Sequence, residues 1–282
     1  MSFALPRLHA VAADCHFPAG EAPATVTHLG IGAHPDDLEF MALHGILASY
    51  TNPENRFGAV VITDGAGSPG AADREHLVAQ RRTEQRRAAE LGRYGFVVQL
   101  GYDSRAVKGG PQFHDLVEDL TALLRASDAG IVYSHQPFDR HPTHQWAFRA
   151  TLAALHRLPP DQRPFRWLGG EVWRGLDWLP AGRKVRLDVS GGVGLAAQLG
   201  KVWTSQLTGG KRYDLAVDGR YRANATFDNS HASDAATHLS YAIDLTELLA
   251  TNGPTTDAFV DAVLAEFAAE IGSTGRPDGK RK

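Results

Sequence analysis

The sequence predicts an α/β fold, a doubly wound and mostly parallel sheet with a less regular C-terminal part. Three observations predict it. Short apolar runs without polar alternation recur along the first 160 or so residues, as expected of strands covered on both faces. Each run is followed by a segment of helical length and composition, which is the crossover that parallel strands require. Each run also closes on polar or glycine-rich residues, and in such sheets ligands gather at the carboxyl ends of the strands.

The elements follow in order. Residues 25–33 (TVTHLGIGA) read as the first strand, ended by His34-Pro35-Asp36-Asp37, and 38–50 then carries apolar residues at helical spacing. Residues 57–63 (FGAVVIT) form a second strand, ended by Asp64-Gly65 and a Gly/Pro/Ser loop to about position 72. Residues 74–91 are rich in helix formers, and Gly92 is the expected stop. A third strand at 95–100, a helix at 111–124, a fourth strand at 130–134 (GIVYS) and a helix at 142–158 opened by Pro142 follow. Beyond Pro159-Pro160 the pattern turns to short segments with Trp167, Trp173 and Trp178, a β-like 184–189, a helical 195–207 and a last helix near 256–271. The expected organisation is one domain over 1–282, with a core at 25–158 and a part at 159–282 that completes the sheet and shapes a substrate pocket.

Composition narrows the function. With 43% hydrophobic and 22% charged residues over 282 positions, the chain is an ordinary globular one. A formal net charge of -3 gives no field toward nucleic acid or anionic membrane. The basic pairs Arg81-Arg82 and Arg86-Arg87 are interleaved with Glu84 and Glu90, as on a solvated helix face. Cys15 is the only cysteine, which excludes an internal disulfide and a cysteine metal site and favours a reducing compartment. No apolar run reaches membrane-spanning length, so a cytoplasmic protein is expected.

The chemistry concentrates at two strand ends. His34, Asp36 and Asp37 lie within four positions after the first strand. A lone Asp there most often caps the next helix, but two adjacent carboxylates beside an imidazole repel unless something positive sits between them. His34 and Asp37, three apart across a tight turn, can face one ion, while Asp36 must point elsewhere. After the fourth strand, 134–144 (SHQPFDRHPTH) holds His135, Asp139, His141 and His144. A site of two histidines and one carboxylate, built from His34, Asp37 and one histidine of the second cluster, suits catalytic zinc or a facial-triad iron.

AHPDD-L-E at 33–39, followed about a hundred residues later by H-x-x-H at 141–144, resembles the PIG-L, or LmbE-like, family of zinc-dependent N-deacetylases. Thr63-Asp64-Gly65 looks like the family's T-D-G loop, 81–84 like its R-x-x-E helix, and Gln206 like its late S-Q. The resemblance runs from about 25 to 206 and implies a Rossmann-like fold. It further implies one zinc per chain, with Fe2+ as the alternative, held by His34, Asp37 and His144. Asp36 is then the general base and His141 the charged partner of the oxyanion and leaving amine. Arg81 and Asp64 are candidates for holding sugar or phosphate, and Asp139 is taken with them as a substrate-side group. The implied partner is a small N-acetylated amino sugar or glycoconjugate, with no nucleic acid or membrane, and a homo-oligomer stays open. The family usually has H-P-D-H where this chain has Thr143, and Asp139 is the carboxylate able to compensate.

Amide hydrolysis needs an activated water, a stabilised oxyanion and a proton for the amine, and these residues supply all three. Three rivals stand against it. A serine hydrolase would use Ser68 in Ala66-Gly67-Ser68-Pro69-Gly70, but the first glycine of a nucleophile elbow is missing there. Gly30-Ile31-Gly32 opens a βα turn as in dinucleotide-binding proteins, but Pro35 stands where the third glycine should fall. The third is a carbohydrate- or metal-binding protein of the same fold without turnover.

Overall fold

The strands are β1 (Asp14–His16), β2 (His28–Gly32), β3 (Phe57–Thr63), β4 (Phe96–Tyr102), β5 (Ile131–Ser134), β6 (Arg166–Gly169), β7 (Lys184–Asp188) and β8 (Leu239–Asp244). In the computed structural model, which describes residues 3–23, 25–67, 73–207, 210, 212–229 and 231–275, they form one sheet in the order β1-β4-β3-β2-β5-β6-β8-β7. The five strands from β4 to β6 run parallel. The outer strands β1, β8 and β7 join antiparallel. The sheet is therefore α/β and mostly parallel, as the apolar runs predict.

Alternate residues of the central strands feed two separate cores. Val60 and Ile62 of β3 pack on one face with Val98 of β4 and Val132 of β5, whereas Ala59 and Val61 pack on the other with Val97 and Tyr133. The first face is covered by α4 (Phe113–Ser127), α5 (Pro142–His156) and part of α9 (Thr256–Gly275). The second is covered by α1 (Asp37–Met41), α2 (Leu43–Thr51), α3 (Arg74–Gly92), α6 (Val193–Val202) and α8 (Tyr213–Phe227). Each large aliphatic side chain buried this way contributes about 1.5–3 kcal/mol. No helix among the described residues is long and apolar enough to cross a membrane.

Two glycines of β2 explain how the site is seated. A Cβ at Gly30 would lie 2.8 Å from the Phe57 ring and 2.9 Å from Leu38, and one at Gly32 would lie 3.0 Å from Leu38. Their bareness lets α1 lie directly on the strand, which is a packing role and not a pyrophosphate-binding one.

The structure adjusts several expected elements. The 38–50 helix is two helices, α1 and α2, broken at Ala42. The expected helical 195–207 is likewise α6 followed by the short α7 (Thr204–Leu207). Gly92 is the last residue of α3, and Arg93 takes the left-handed turn at φ 54°. Gly92 instead makes room for Tyr94, whose ring fills the space a Cβ there would need. Strands β1, β6 and β8 and helix α8 lie where the sequence pattern predicts no element.

Chain order places the site. From β2 the chain moves outward to β3 and β4, then returns to the opposite side of β2 as β5. The carboxyl ends of β2 and β5 thus flank the point where the winding reverses, the crevice where open α/β sheets bind ligands.

Asp119 of α4 ties down the N-terminal segment. Its buried carboxylate accepts from the amides of His9 (2.7 Å) and Ala10 (2.9 Å) and from the Tyr102 hydroxyl (2.8 Å). Asp119→Ala leaves a buried hydroxyl and two amides without an acceptor, and about 2–4 kcal/mol of stability should be lost. Urea unfolding checks this, and an unchanged midpoint would contradict it.

Candidate active site

The turn after β2 fixes three acidic or imidazole groups in different directions. The Asp37 amide donates to the His34 carbonyl at 3.4 Å, and the His34 amide donates to Asp37 Oδ2 at 2.7 Å. Between them Asp36 adopts φ 95°, in the left-handed region that Asp tolerates better than most residues. Asp36 makes no capping bond to α1. Its Oδ2 accepts from Gln206 Nε2 at 2.9 Å instead.

The segment after β5 supplies the opposite wall. Pro142 starts α5, which puts Thr143 and His144 in the first turn and buries both. Asp139 Oδ1 accepts from the His141 amide at 2.8 Å, and Asp139 Oδ2 lies 3.0 Å from His144 Nδ1. That bond occupies Nδ1 and aims Nε2 at the β2 turn. His135, with no exposed surface, has Nε2 at 3.1 Å from Asp37 Oδ2 and 3.0 Å from the Ala33 amide nitrogen.

Three donor groups therefore converge. His34 Nδ1 lies 3.1 Å from His144 Nε2 and 3.4 Å from Asp37 Oδ2, and His144 Nε2 lies 3.4 Å from Asp37 Oδ1. Ligands at 2.0–2.1 Å from a tetrahedral ion stand about 3.3 Å apart. The spacing and the N, N, O donor set fit a divalent metal. His141 brings a ring nitrogen within 4.8 Å of those of His34 and His144, and Asp37, His135 and His144 form an overlapping group of the same breadth.

Electrostatics separate the two aspartates. Burial and the neighbouring Asp37 push the Asp36 carboxyl well above the usual range, against the pull of Arg81. Burial also acts on Asp37, but His144 and His135 outweigh it and hold Asp37 well below that range. For His144 burial is outweighed by Asp37 and Asp139, which push it up to about 10. Burial, with His144 and His34 beside it, lowers His141 to about 4. That direction favours the neutral form of the His141 imidazole. Glu39, the last residue of the first motif, accepts from Tyr94 (2.8 Å) and Gln85 (2.9 Å) and is pushed by burial to about 7. It braces α1 from behind.

The cluster forms the floor of a cavity of about 270 Å³, which Asp36, Arg81, His141, Trp173, Gln206 and Tyr213 also line. Arg81 is buried and donates to the Gly65 carbonyl, whereas Arg82 reaches away to Ala12. Asp64 does not line the cavity. It closes a turn with the Ala66 amide (2.9 Å) and pairs with Arg74 (3.0 Å). Asp139, expected on the substrate side, is 1% exposed and stands behind His144. Arg220 and Arg222 of α8 pair with Asp177 and Asp218, and Tyr221 donates to the Phe40 carbonyl. Trp203 is core and Trp178 packs on Phe138. Ser68 lies outside the described residues.

The R-x-x-E and S-Q marks turn out to be one device. Glu84 accepts from the Ser205 amide (2.8 Å), the Ser205 hydroxyl (2.5 Å) and the Thr204 hydroxyl (2.7 Å). This pins the chain that delivers Gln206 to Asp36. The joint action of Glu84 and Ser205 leaves no trace in the sequence, where 121 positions separate them. Nor does sequence reasoning find the contact of His135 with Asp37; its one signal is the place of His135 at the end of β5.

Comparison with known proteins agrees with the geometry. The family described as PIG-L, GlcNAc-PI de-N-acetylase, matches residues 29–155, which include both clusters. A protein of Escherichia coli, described as the uncharacterized deacetylase YaiS, is 30% identical over 150 residues, 50% of this chain and 75% of that protein. The chain belongs to the PIG-L family of deacetylases. Two solved structures share the fold of this PIG-L chain. The N,N'-diacetylchitobiose deacetylase of Pyrococcus horikoshii, solved with an inhibitor, is 19% identical with a TM-score of 0.60, covering 82% of this chain and 88% of that one. GalB, the 4-carboxy-2-hydroxymuconate hydratase of Pseudomonas putida, is 14% identical with a TM-score of 0.62, covering 78% and 96%. These two reactions differ, so the fold alone does not decide what the PIG-L chain does, and its site residues must.

Asp139 stands where its carboxylate orients a histidine, and Asp139→Asn weakens that acceptor without removing bulk. Metal affinity should fall about 10–100-fold. Competition with a chelating dye measures it, and an unchanged affinity would contradict the assignment.

Proposed function

We propose that this PIG-L chain is a metal-dependent hydrolase that removes the acetyl group from the amide nitrogen of an N-acetylglucosaminyl-type sugar or conjugate. The observation that carries this reading is the convergence of His34 Nδ1, His144 Nε2 and the Asp37 carboxylate at 3.1–3.4 Å, with Asp36 beside them. In this reading His34, Asp37 and His144 hold one divalent ion. Zinc comes first, because catalytic zinc is commonly held by three protein groups of imidazole and carboxylate type, and Fe2+ suits the same set. The ion supplies Lewis acidity toward the acyl oxygen and lowers the pKa of a water toward about 7.

The chain's own groups do the rest. Asp36, oriented by Gln206, takes a proton from the attacking water and, with its raised affinity for that proton, returns it to the amide nitrogen as the C–N bond breaks. Water and amide thereby become acetate and amine with no redox cofactor. His141, entering as a neutral imidazole, donates its N–H toward the acyl oxygen as negative charge develops there. Arg81 and Trp173 line the cavity and supply a cation and a ring face to the sugar side.

Acetate and free amine are expected in equal amounts from an N-acetylated amino sugar, without nucleotide, and a chelator should stop the reaction until metal is restored. Turnover untouched by chelation would contradict the reading and point to Ser68. Metal binding with no turnover on any N-acetyl sugar would favour a binding protein of the same fold.

A further inference from the structure

A second cavity of about 270 Å³ lies between α6 and α8. Among the described residues Phe40 of α1 alone lines both this cavity and the catalytic one. The two helices meet where a Cβ at Gly200 would stand 3.3 Å from Asp214 Cβ, and both residues lie at the cavity's edge. Its walls are apolar, formed by Leu43, Val189, Val193, Ala196 and Val217. A mostly apolar cavity with a few polar groups is the usual make-up of a small-molecule site.

Two buried polar side chains in the lining carry an atom without a bond. Glu39, 2% exposed, takes both of its bonds at Oε1, from Tyr94 and Gln85, and among the described residues Oε2 has no hydrogen-bond partner. His238, 4% exposed, has none at Nε2, which stands 3.4 Å from Asp218 Oδ1 outside hydrogen-bond geometry. The other carboxylates of the lining are answered. Arg212 donates to Asp214, and Arg222 donates to Asp218. Lys201 stands on the exposed rim. A buried acceptor left unbonded costs stability, and a donor brought in by a ligand recovers it.

We propose that this cavity is a second ligand site, separate from the catalytic one, which takes a small aliphatic amine with its chain against the α6 and α8 walls and its ammonium donating to Glu39 Oε2. The site goes beyond the deacetylase reading and does not rest on it. An ammonium makes a charge-assisted bond that an alcohol cannot, and a carboxylate would set one acceptor against another.

Calorimetric titration of the purified, metal-loaded full chain with n-hexylamine, n-hexanol, hexanoate and ethylamine tests this. Hexylamine should bind about tenfold or more tighter than hexanol and hexanoate, the worth of one charge-assisted bond. It should exceed ethylamine by a similar factor, through the apolar surface its longer chain buries. Ala196→Leu fills the cavity from its wall, and Ala197→Leu narrows it from the exposed rim with the least disturbance to the fold. At least one of them should weaken hexylamine about tenfold, and acetate release should be unchanged in both. Glu39→Gln should remove the advantage of the amine over the alcohol. Failure of hexylamine to bind, or affinity unchanged in both α6 variants, overturns the site. Hexanol or hexanoate binding as tightly as hexylamine overturns the amine, and a hexanoate preference moves the polar head to Lys201. Absence of acetate release from every N-acetylated sugar would reject the deacetylase reading and leave this site standing.

Discussion

Asp37 is 3% exposed and its carboxylate faces three imidazoles, those of His34, His135 and His144. A buried carboxylate is stable only when paired and hydrogen-bonded, so the turn after β2 and the segment after β5 hold each other through this group. Everything else in the site is arranged around that constraint. Gly30 and Gly32 bring α1 down onto the sheet so that Asp37 reaches inward. Asp139 turns His144 to meet it, and the left-handed backbone at Asp36 sends the neighbouring carboxylate to Gln206 instead.

Two adjacent aspartates thus become chemically distinct through their surroundings. Asp37 has cationic or hydrogen-bonding partners on several sides and stays ionised. Asp36 has one amide donor, a buried setting and Asp37 itself beside it, so it holds a proton more readily. A ligand and a proton carrier need these opposite tendencies. Glu84, far along the chain, supports the difference by clamping Thr204 and Ser205, which places Gln206.

The central strands and both histidine clusters are legible in the sequence, because strands buried on two faces leave unbroken apolar runs and because HPDD and H-x-x-H compress the donors into short segments. The missing parts leave weaker traces. β6 is only RWLG, and α8 (YDLAVDGRYRANATF) has charged residues spread through it with few buried positions. The break between α1 and α2 leaves no mark in the helical spacing of 38–50. It falls where Gly170 comes so close to Met41 that a Cβ there would lie 2.9 Å from Met41 Cβ. Asp64 and Asp139 read as substrate groups in one dimension, yet Arg74 and His144 claim them in three. The family's carboxylate beside the second histidine is absent at Thr143, and Asp139, the expected substitute, reaches that histidine from five positions upstream.

The most direct test of the account is metal content measured beside kcat in Asp36→Asn and Asp37→Asn. The account predicts that Asp36→Asn keeps about one divalent ion per chain and loses roughly 10²–10⁴ in kcat, the range for a general base, while Asp37→Asn is depleted of metal. Depletion in Asp36→Asn with full occupancy in Asp37→Asn would contradict it and reverse the roles of the two aspartates.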